Sequence, residues 1–214
     1  LDAGSANIAL IFNTNIQPDD FLRAVLREWD VPYDQQSKAE LYELLNNFLI
    51  EEYQKGTSVV LIIDEAQNLP AETLEEIRMI SNLNDEKIPL LHIILSGQPN
   101  LKKRLNSSEF EQLRQRVSIH YNLDPLDQKE IFTYIEYRLT QARAQNMNVF
   151  TPEAIQTVFQ YSRGIPRIIN LLCDLALVYG FAEQIKPIDK TIIETVVKDR
   201  RSMGLDVETV QIGR

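Results

Sequence analysis

The sequence is poor in glycine. Seven stand in 214 residues (Gly4, Gly56, Gly97, Gly164, Gly180, Gly204 and Gly213), about 3% where roughly 7% is usual. No two lie five apart ahead of a Lys and a Ser or Thr, and no stretch spells G-x-G-x-x-G. A glycine-rich phosphate loop of either common kind is therefore not among these residues. Cysteine is scarcer still. Cys173 stands alone, which excludes an internal disulfide and a cysteine zinc cluster and fits a reducing compartment. No run approaches the roughly 20 apolar residues of a membrane-spanning helix. The first residue is Leu rather than Met, so the natural N-terminus is expected upstream.

What is present is ordinary for a globular chain: 44% hydrophobic and 25% charged residues, which excludes a disordered or fibrous protein. The charge is uneven. Residues 1–124 hold 11 Lys and Arg against 20 Asp and Glu, the whole of the net −9, while residues 125–214 hold 11 of each. The break predicts two units, 1–124 and 125–202, with 203–214 as a loose tail. An acidic first unit argues against a broad nucleic-acid footprint, which needs clustered cations. Lys102, Lys103, Arg104, Arg114 and Arg116 form a local exception.

Apolar runs and helical stripes alternate in the first unit. Asn7–Asn13 reads as a buried strand, and Pro18 with Asp19 and Asp20 opens a helix ending near Trp29. Ser37 and Glu40 make a capping box ahead of the stripe Leu41, Leu44, Leu45, Phe48, Leu49 and Tyr53. Val59–Ile63 is five consecutive aliphatics, the mark of a strand covered on both faces. A helix from about Ala71 to Ser81 follows, then a strand Leu90–Leu95, a short basic helical stretch and a last strand around Val117–Leu123. Strands alternating with helices predict a mostly parallel sheet between helices. The second unit reads as four helices: one capped by Asp127 and Glu130, one opened by Thr151-Pro152 and stopped at Gly164, one from about Pro166 to Ala182, and one capped by Asp189.

The strongest chemical signal is VVLIIDEAQN, residues 59–68. A doubly buried strand delivers two adjacent carboxylates, Asp64 and Glu65, at its C-terminal end, where open α/β sheets place ligands. Side by side they repel each other unless a cation compensates. Mg²⁺ with a nucleotide does so economically: Asp64 holds the metal through water, and Glu65 orients and deprotonates the attacking water. This is a Walker B pattern. Arg167, in the first turn of a helix after Gly164-Ile-Pro166, is a cation opposing the helix dipole and implies an anion facing it. His92 and His120 lack metal-ligand neighbours and read as packing residues, as does Cys173. Lys102, Lys103 and Arg104 read as a solvated face.

LIIDEAQNL, LLHIILSGQPNL, EQLRQRVSIHYNLDPL and FTPEAIQTVFQYSRGIPRIINLLCDLAL together resemble the AAA+ ATPases of the general secretion pathway protein A type. The ATPases of exosortase-associated polysaccharide export clusters and of transposition are near relatives. The resemblance runs from about Ile8 to about Arg201. It implies a P-loop α/β/α core with a helical lid, ATP and Mg²⁺ as cofactors, and a homo-oligomer with nucleotide between subunits. Gln98, after the strand Leu90–Leu95, takes the place of a residue touching the γ-phosphate or the attacking water. Arg116, a better match than Arg114, takes that of an arginine finger, and Arg167 that of a lid arginine on the phosphates.

The departure from the family is the P-loop, whose strand lies mid-sheet in the family. These residues alone are expected to be inactive, and the natural protein is expected to continue upstream of Leu1. The function expected of the complete protein is ATP hydrolysis coupled to a secretion or polysaccharide-export machine, in the cytoplasm at the inner membrane, without nucleic acid. The alternatives are a DNA-bound transposition-type ATPase, which the −9 net charge disfavours and the Lys102–Arg116 stretch keeps open, and a non-catalytic interaction module, which the Asp64-Glu65 pair disfavours.

Overall fold

The aliphatic run at Val59–Ile63 becomes the central strand of a parallel sheet in the computed structural model of the chain, which describes residues 6–204 apart from 13, 15, 86 and 87. Its strands, among the described residues, are β1 (Ala6–Ile11), β2 (Ser58–Ile63), β3 (Asn84–Asp85), β4 (Ile88–Pro89) and β5 (Leu91–Leu95). β1, β2 and β5 form the sheet in the order β1-β2-β5, all parallel. The register sets Ile11 opposite Ile63 and Ile63 opposite Leu95, so the three C-terminal ends are level. Val59, Val60, Leu61 and Ile63 of β2 are all buried. Because successive side chains point to opposite faces, helices must cover both sides of this strand. The two-residue strands β3 and β4 make a small antiparallel pair that no periodicity announces.

The helices of the first unit are α1 (Pro18–Glu28), α2 (Lys38–Gln54), α3 (Ala71–Ile80), α4 (Pro99–Leu105) and α5 (Glu111–Arg116). Their starts follow the local signals. Pro18 sits in the first turn of α1 with Asp19 and Asp20 beside it. The Ser37 amide donates to the Glu40 carboxylate at 2.7 Å while the Ser37 hydroxyl accepts the Glu40 amide at 3.4 Å, a reciprocal cap. The apolar faces close one core around Phe21, Leu26, Leu45, Leu49, Leu61, Leu74 and Ile77, and Trp29 stacks on Phe48 at 5.2 Å. Glu76 is the charged residue drawn furthest into this unit's packing on α3. Lys38 and the Tyr42 hydroxyl, which donates at 2.6 Å, satisfy it.

The strand expected around Val117–Leu123 does not form. The segment is exposed, with Ile119, Tyr121 and Leu123 at 85%, 82% and 92% of full accessibility. Its alternating apolar residues satisfy the local pattern of a strand, but none of the described strands hydrogen-bonds to it, and a strand exists only as part of a ladder. The strand expected over Asn7–Asn13 ends at Ile11; Asn13 lies outside the described residues, as does the tail from 205 onward.

The chain divides into two compact units, changing between His120 and Tyr121. The second is helical among its described residues: α6 (Glu130–Gln141), α7 (Pro152–Ser162), α8 (Pro166–Ala182) and α9 (Lys190–Ser202). Asp127 accepts the Glu130 amide at 2.8 Å, and Glu130 accepts the Asp127 amide at 2.8 Å. Thr151 caps α7 through the Ala154 amide, and Asp189 caps α9 through Thr191 and Ile192. Ile131, Val158, Ile169, Leu172, Ile193 and Val196 build this unit's own core.

Candidate functional site

The site grows from the C-terminal ends of β2 and β5. The Asp64 amide continues the ladder onto Ile11 O at 3.0 Å, and the half-buried Asp64 carboxylate accepts the Glu65 amide at 2.9 Å. Glu65 then leaves the strand with φ 51° and ψ 34°. For a residue with a Cβ this left-handed conformation is held against a preference of about 1–2 kcal/mol. Strain of this kind persists where surrounding bonds fix it. Here the fixing bonds are visible. The Ala66 amide donates to Ser96 O at 2.9 Å, and the Ser96 amide to Ile63 O at 2.9 Å, so the turn after β2 is tied to the loop after β5.

Gln98 N-caps α4. Its side-chain amide lies 3.5 Å from the exposed Glu65 carboxylate, so the structure brings Asp64, Glu65 and Gln98 into one cluster. Two further residues join it that sequence reasoning passed over. Gln67 donates its amide NH₂ to Glu65 and accepts the backbone N–H of Gln98 at 3.0 Å. Arg104 reaches back from α4 to the carbonyls of Gln67, at 3.1 Å, and of Leu69, with its guanidinium 5.3 Å from the centre of the Phe110 ring. Arg104 is therefore part of the scaffold under the turn, not of the solvated basic face. Its partners lie 35 and 37 residues away, beyond any local pattern. Gln67 did have a signal: it is the fourth residue of the DEAQ string.

Arg116 closes α5 and is exposed, as is Arg114 two residues earlier. Neither side chain forms a hydrogen bond or an ion pair with a described residue. Arg167 lies in the second unit, exposed in the first turn of α8 and likewise unpaired among the described residues. The turn ahead of it is built by Gly164, at φ +78°, whose carbonyl accepts the Leu126 amide at 2.9 Å.

The donor set suits one hard divalent cation weakly held by protein. Mg²⁺ keeps several waters and takes one or two carboxylates together with substrate phosphates. Asp64 uses one oxygen on the Glu65 amide and has acceptor capacity left for a metal-bound water. Among the described residues no group of three or more His, Cys, Asp and Glu side chains is placed to hold a metal ion. No helix among them is long and apolar enough to cross a membrane.

A family model described as an AAA domain matches residues 6–105, a span that includes Asp64, Glu65, Gln67, Gln98 and Arg104. General secretion pathway protein A of Aeromonas hydrophila is 38% identical over 176 residues, 82% of this chain and 32% of that protein. An uncharacterized HTH-type transcriptional regulator of Methanocaldococcus jannaschii is 25% identical over 166 residues, 75% of this chain and 39% of that protein. The chain thus spans about a third of the length of these curated relatives. Among solved structures, the Aeropyrum pernix ORC2 protein in its ADPNP–ADP complexes superposes with a TM-score of 0.67 at 14% identity, covering 91% of this chain and 52% of that one. The Thermotoga maritima RuvB Holliday junction branch migration motor does so with a TM-score of 0.54 at 17% identity, covering 95% and 64%.

Proposed function

The chain belongs to the AAA+ ATPase domains of the general secretion pathway protein A type, and from that premise we propose that it supplies the metal-binding and water-activating side of an MgATP hydrolysis site. One observation carries the reading: Asp64, Glu65 and Gln98 converge at the level C-terminal ends of β2 and β5, on a turn held in a strained conformation. Asp64 would hold Mg²⁺ through a water molecule, and the bound metal would neutralise charge on the phosphates. The Glu65 carboxylate orients the attacking water and takes its proton, while the Gln98 amide donates toward the same water or the terminal phosphate. Arg116, exposed and unpaired among the described residues, is suited to reach a nucleotide held by a neighbouring copy, since its charge is permanent and its planar fork matches phosphate oxygens. Arg167 offers the same chemistry from the helical unit.

No glycine-rich phosphate loop is in the sequence, so these residues account for the metal and water rather than for the grip on the nucleotide. We place the complete protein's turnover at a secretion or polysaccharide-export machine, in the cytoplasm at the inner membrane; the 38% identical relative named general secretion pathway protein A supports the secretion part of that reading. The test is MgATP hydrolysis by the complete protein with and without Asp64→Asn. Mg²⁺-dependent turnover that the substitution abolishes is expected; equal turnover in the two proteins would overturn the assignment. A DNA-bound role has the four exposed cations Lys102, Lys103, Arg114 and Arg116 in its favour. The inward engagement of Arg104 and the −9 net charge weaken it. Salt-sensitive DNA binding by the complete protein would promote it.

A further inference from the structure

We infer that Gln67 is a positioning residue: a two-sided amide clamp that fixes the Glu65 carboxylate relative to the loop carrying Gln98. The inference rests on the ATPase reading of Glu65 and adds a residue to it. Gln67 lies in the short 3₁₀ helix Ala66–Asn68, half-buried, with both ends of its side chain used. The backbone N–H of Gln98 can only donate, so the atom it meets at 3.0 Å is the amide oxygen. That contact fixes the orientation of the amide and turns its NH₂ toward Glu65. A carboxylate at this position, or an apolar side chain, could not make both bonds.

Three other features serve the same clamp. Arg104 holds the Gln67 carbonyl, so the backbone beneath the side chain does not drift. The Ala66 amide on Ser96 O sets the distance between the two loops. Gly97 leaves the space that the Gln67 side chain occupies, because a Cβ there would stand 2.5 Å from Gln67 Oε1. The tightest constraint at position 97 is thus steric and comes from Gln67, with Leu101 Cδ2 next at 3.0 Å.

A general base works only when held within hydrogen-bond reach of the proton it takes, and small displacements lower the rate steeply. Releasing the clamp leaves the metal ligand Asp64 and the nucleotide-binding surfaces in place, so it acts on turnover and not on affinity. Gly97→Ala pushes the amide aside and acts the same way. In a chain that already lacks the Gln67 side chain, the added methyl group has lost its tightest contact and meets Leu101 Cδ2 at 3.0 Å, the far end of a flexible side chain.

The experiment uses the complete protein and four variants: Gln67→Ala, Gly97→Ala, the double variant, and Glu65→Gln as reference. Steady-state MgATP hydrolysis and binding of a fluorescent ATP analogue are measured for each, with the thermal midpoint as a folding check. Gln67→Ala and Gly97→Ala are each expected to lower kcat roughly tenfold or more, with KM and analogue affinity within about twofold of the parent. The double variant should be no slower than Gln67→Ala alone. Independently of turnover, the Gln98 backbone amide, whose acceptor is gone, should exchange faster with solvent in Gln67→Ala. Parental kcat in Gln67→Ala, or multiplicative loss in the double variant, alongside an inactive Glu65→Gln protein, overturns the clamp and leaves the ATPase reading standing. A fully active Glu65→Gln protein overturns that reading itself.

Discussion

Gly164→Ala is expected to damage the helical unit far more than a single methyl group suggests. Gly164 holds φ +78° between α7 and α8, and a Cβ built there would stand 1.9 Å from the carbonyl oxygen of Leu126 and 2.9 Å from its carbonyl carbon. Adopting a left-handed conformation with a side chain present costs about 1–2 kcal/mol. Leu126 O must also recede by about 1.5 Å to reach ordinary van der Waals separation. It cannot do so freely, because the Leu126 amide is bonded to the Gly164 carbonyl at 2.9 Å, and losing such a bond costs about 1 kcal/mol. The combined effect is about 2–4 kcal/mol, which for a unit of this size lowers the thermal midpoint by roughly 10–25 °C. Far-UV circular dichroism melts of parent and variant read this directly, because the described part of the second unit is helical. A midpoint within about 3 °C of the parent would refute the reasoning and show that the Leu126 segment yields without loss.

Two smaller perturbations follow from the caps and the core. Ser37→Ala removes the hydroxyl that accepts the Glu40 amide and should lower the free energy of unfolding by about 1 kcal/mol, read from urea titration. The hydroxyl and amide of Ser37 hold the Glu40 carboxyl below the usual carboxylate range. The part of the stability that comes from the Ser37 hydroxyl donating to the Glu40 carboxylate is therefore present above the ordinary carboxylate pKa and is lost as the pH falls through the lowered one, so the gap between parent and variant should narrow in acid without closing. Burial, with the nearby charge of Asp174 adding to it, pushes the Cys173 thiol up to about 12. At pH 8 a disulfide reagent should label it at least about a hundredfold more slowly in the native chain than in denaturant. Comparable rates would place Cys173 at an accessible surface.

The sequence and the structure agree where a signal is local. A capping serine or threonine, a proline in a first turn and five unbroken aliphatics each act over a few residues, and α1, α2, α7 and β2 begin and end close to the positions those signals mark. Val117–Leu123 carries the alternation of a half-buried strand, yet alternation reports only the local chain, and a strand needs a neighbour to bond. Asp64 and Glu65 were legible because the aliphatic run points to them. Arg104 was not, and Gln67 only as the last letter of the DEAQ string, because the bonds that tie them into the cluster reach residues 31 to 37 positions away. Gly97 carries no local signal of its role, since its small size answers to the Gln67 side chain across the cluster.

The central claim is that the turn after β2 presents a working general base. Glu65→Gln in the complete protein tests it most directly, since the change keeps the shape and the left-handed turn while removing the group that takes the proton. The account predicts nucleotide binding within a few-fold of the parent and MgATP turnover reduced at least about a hundredfold. Turnover at the parental rate would contradict it.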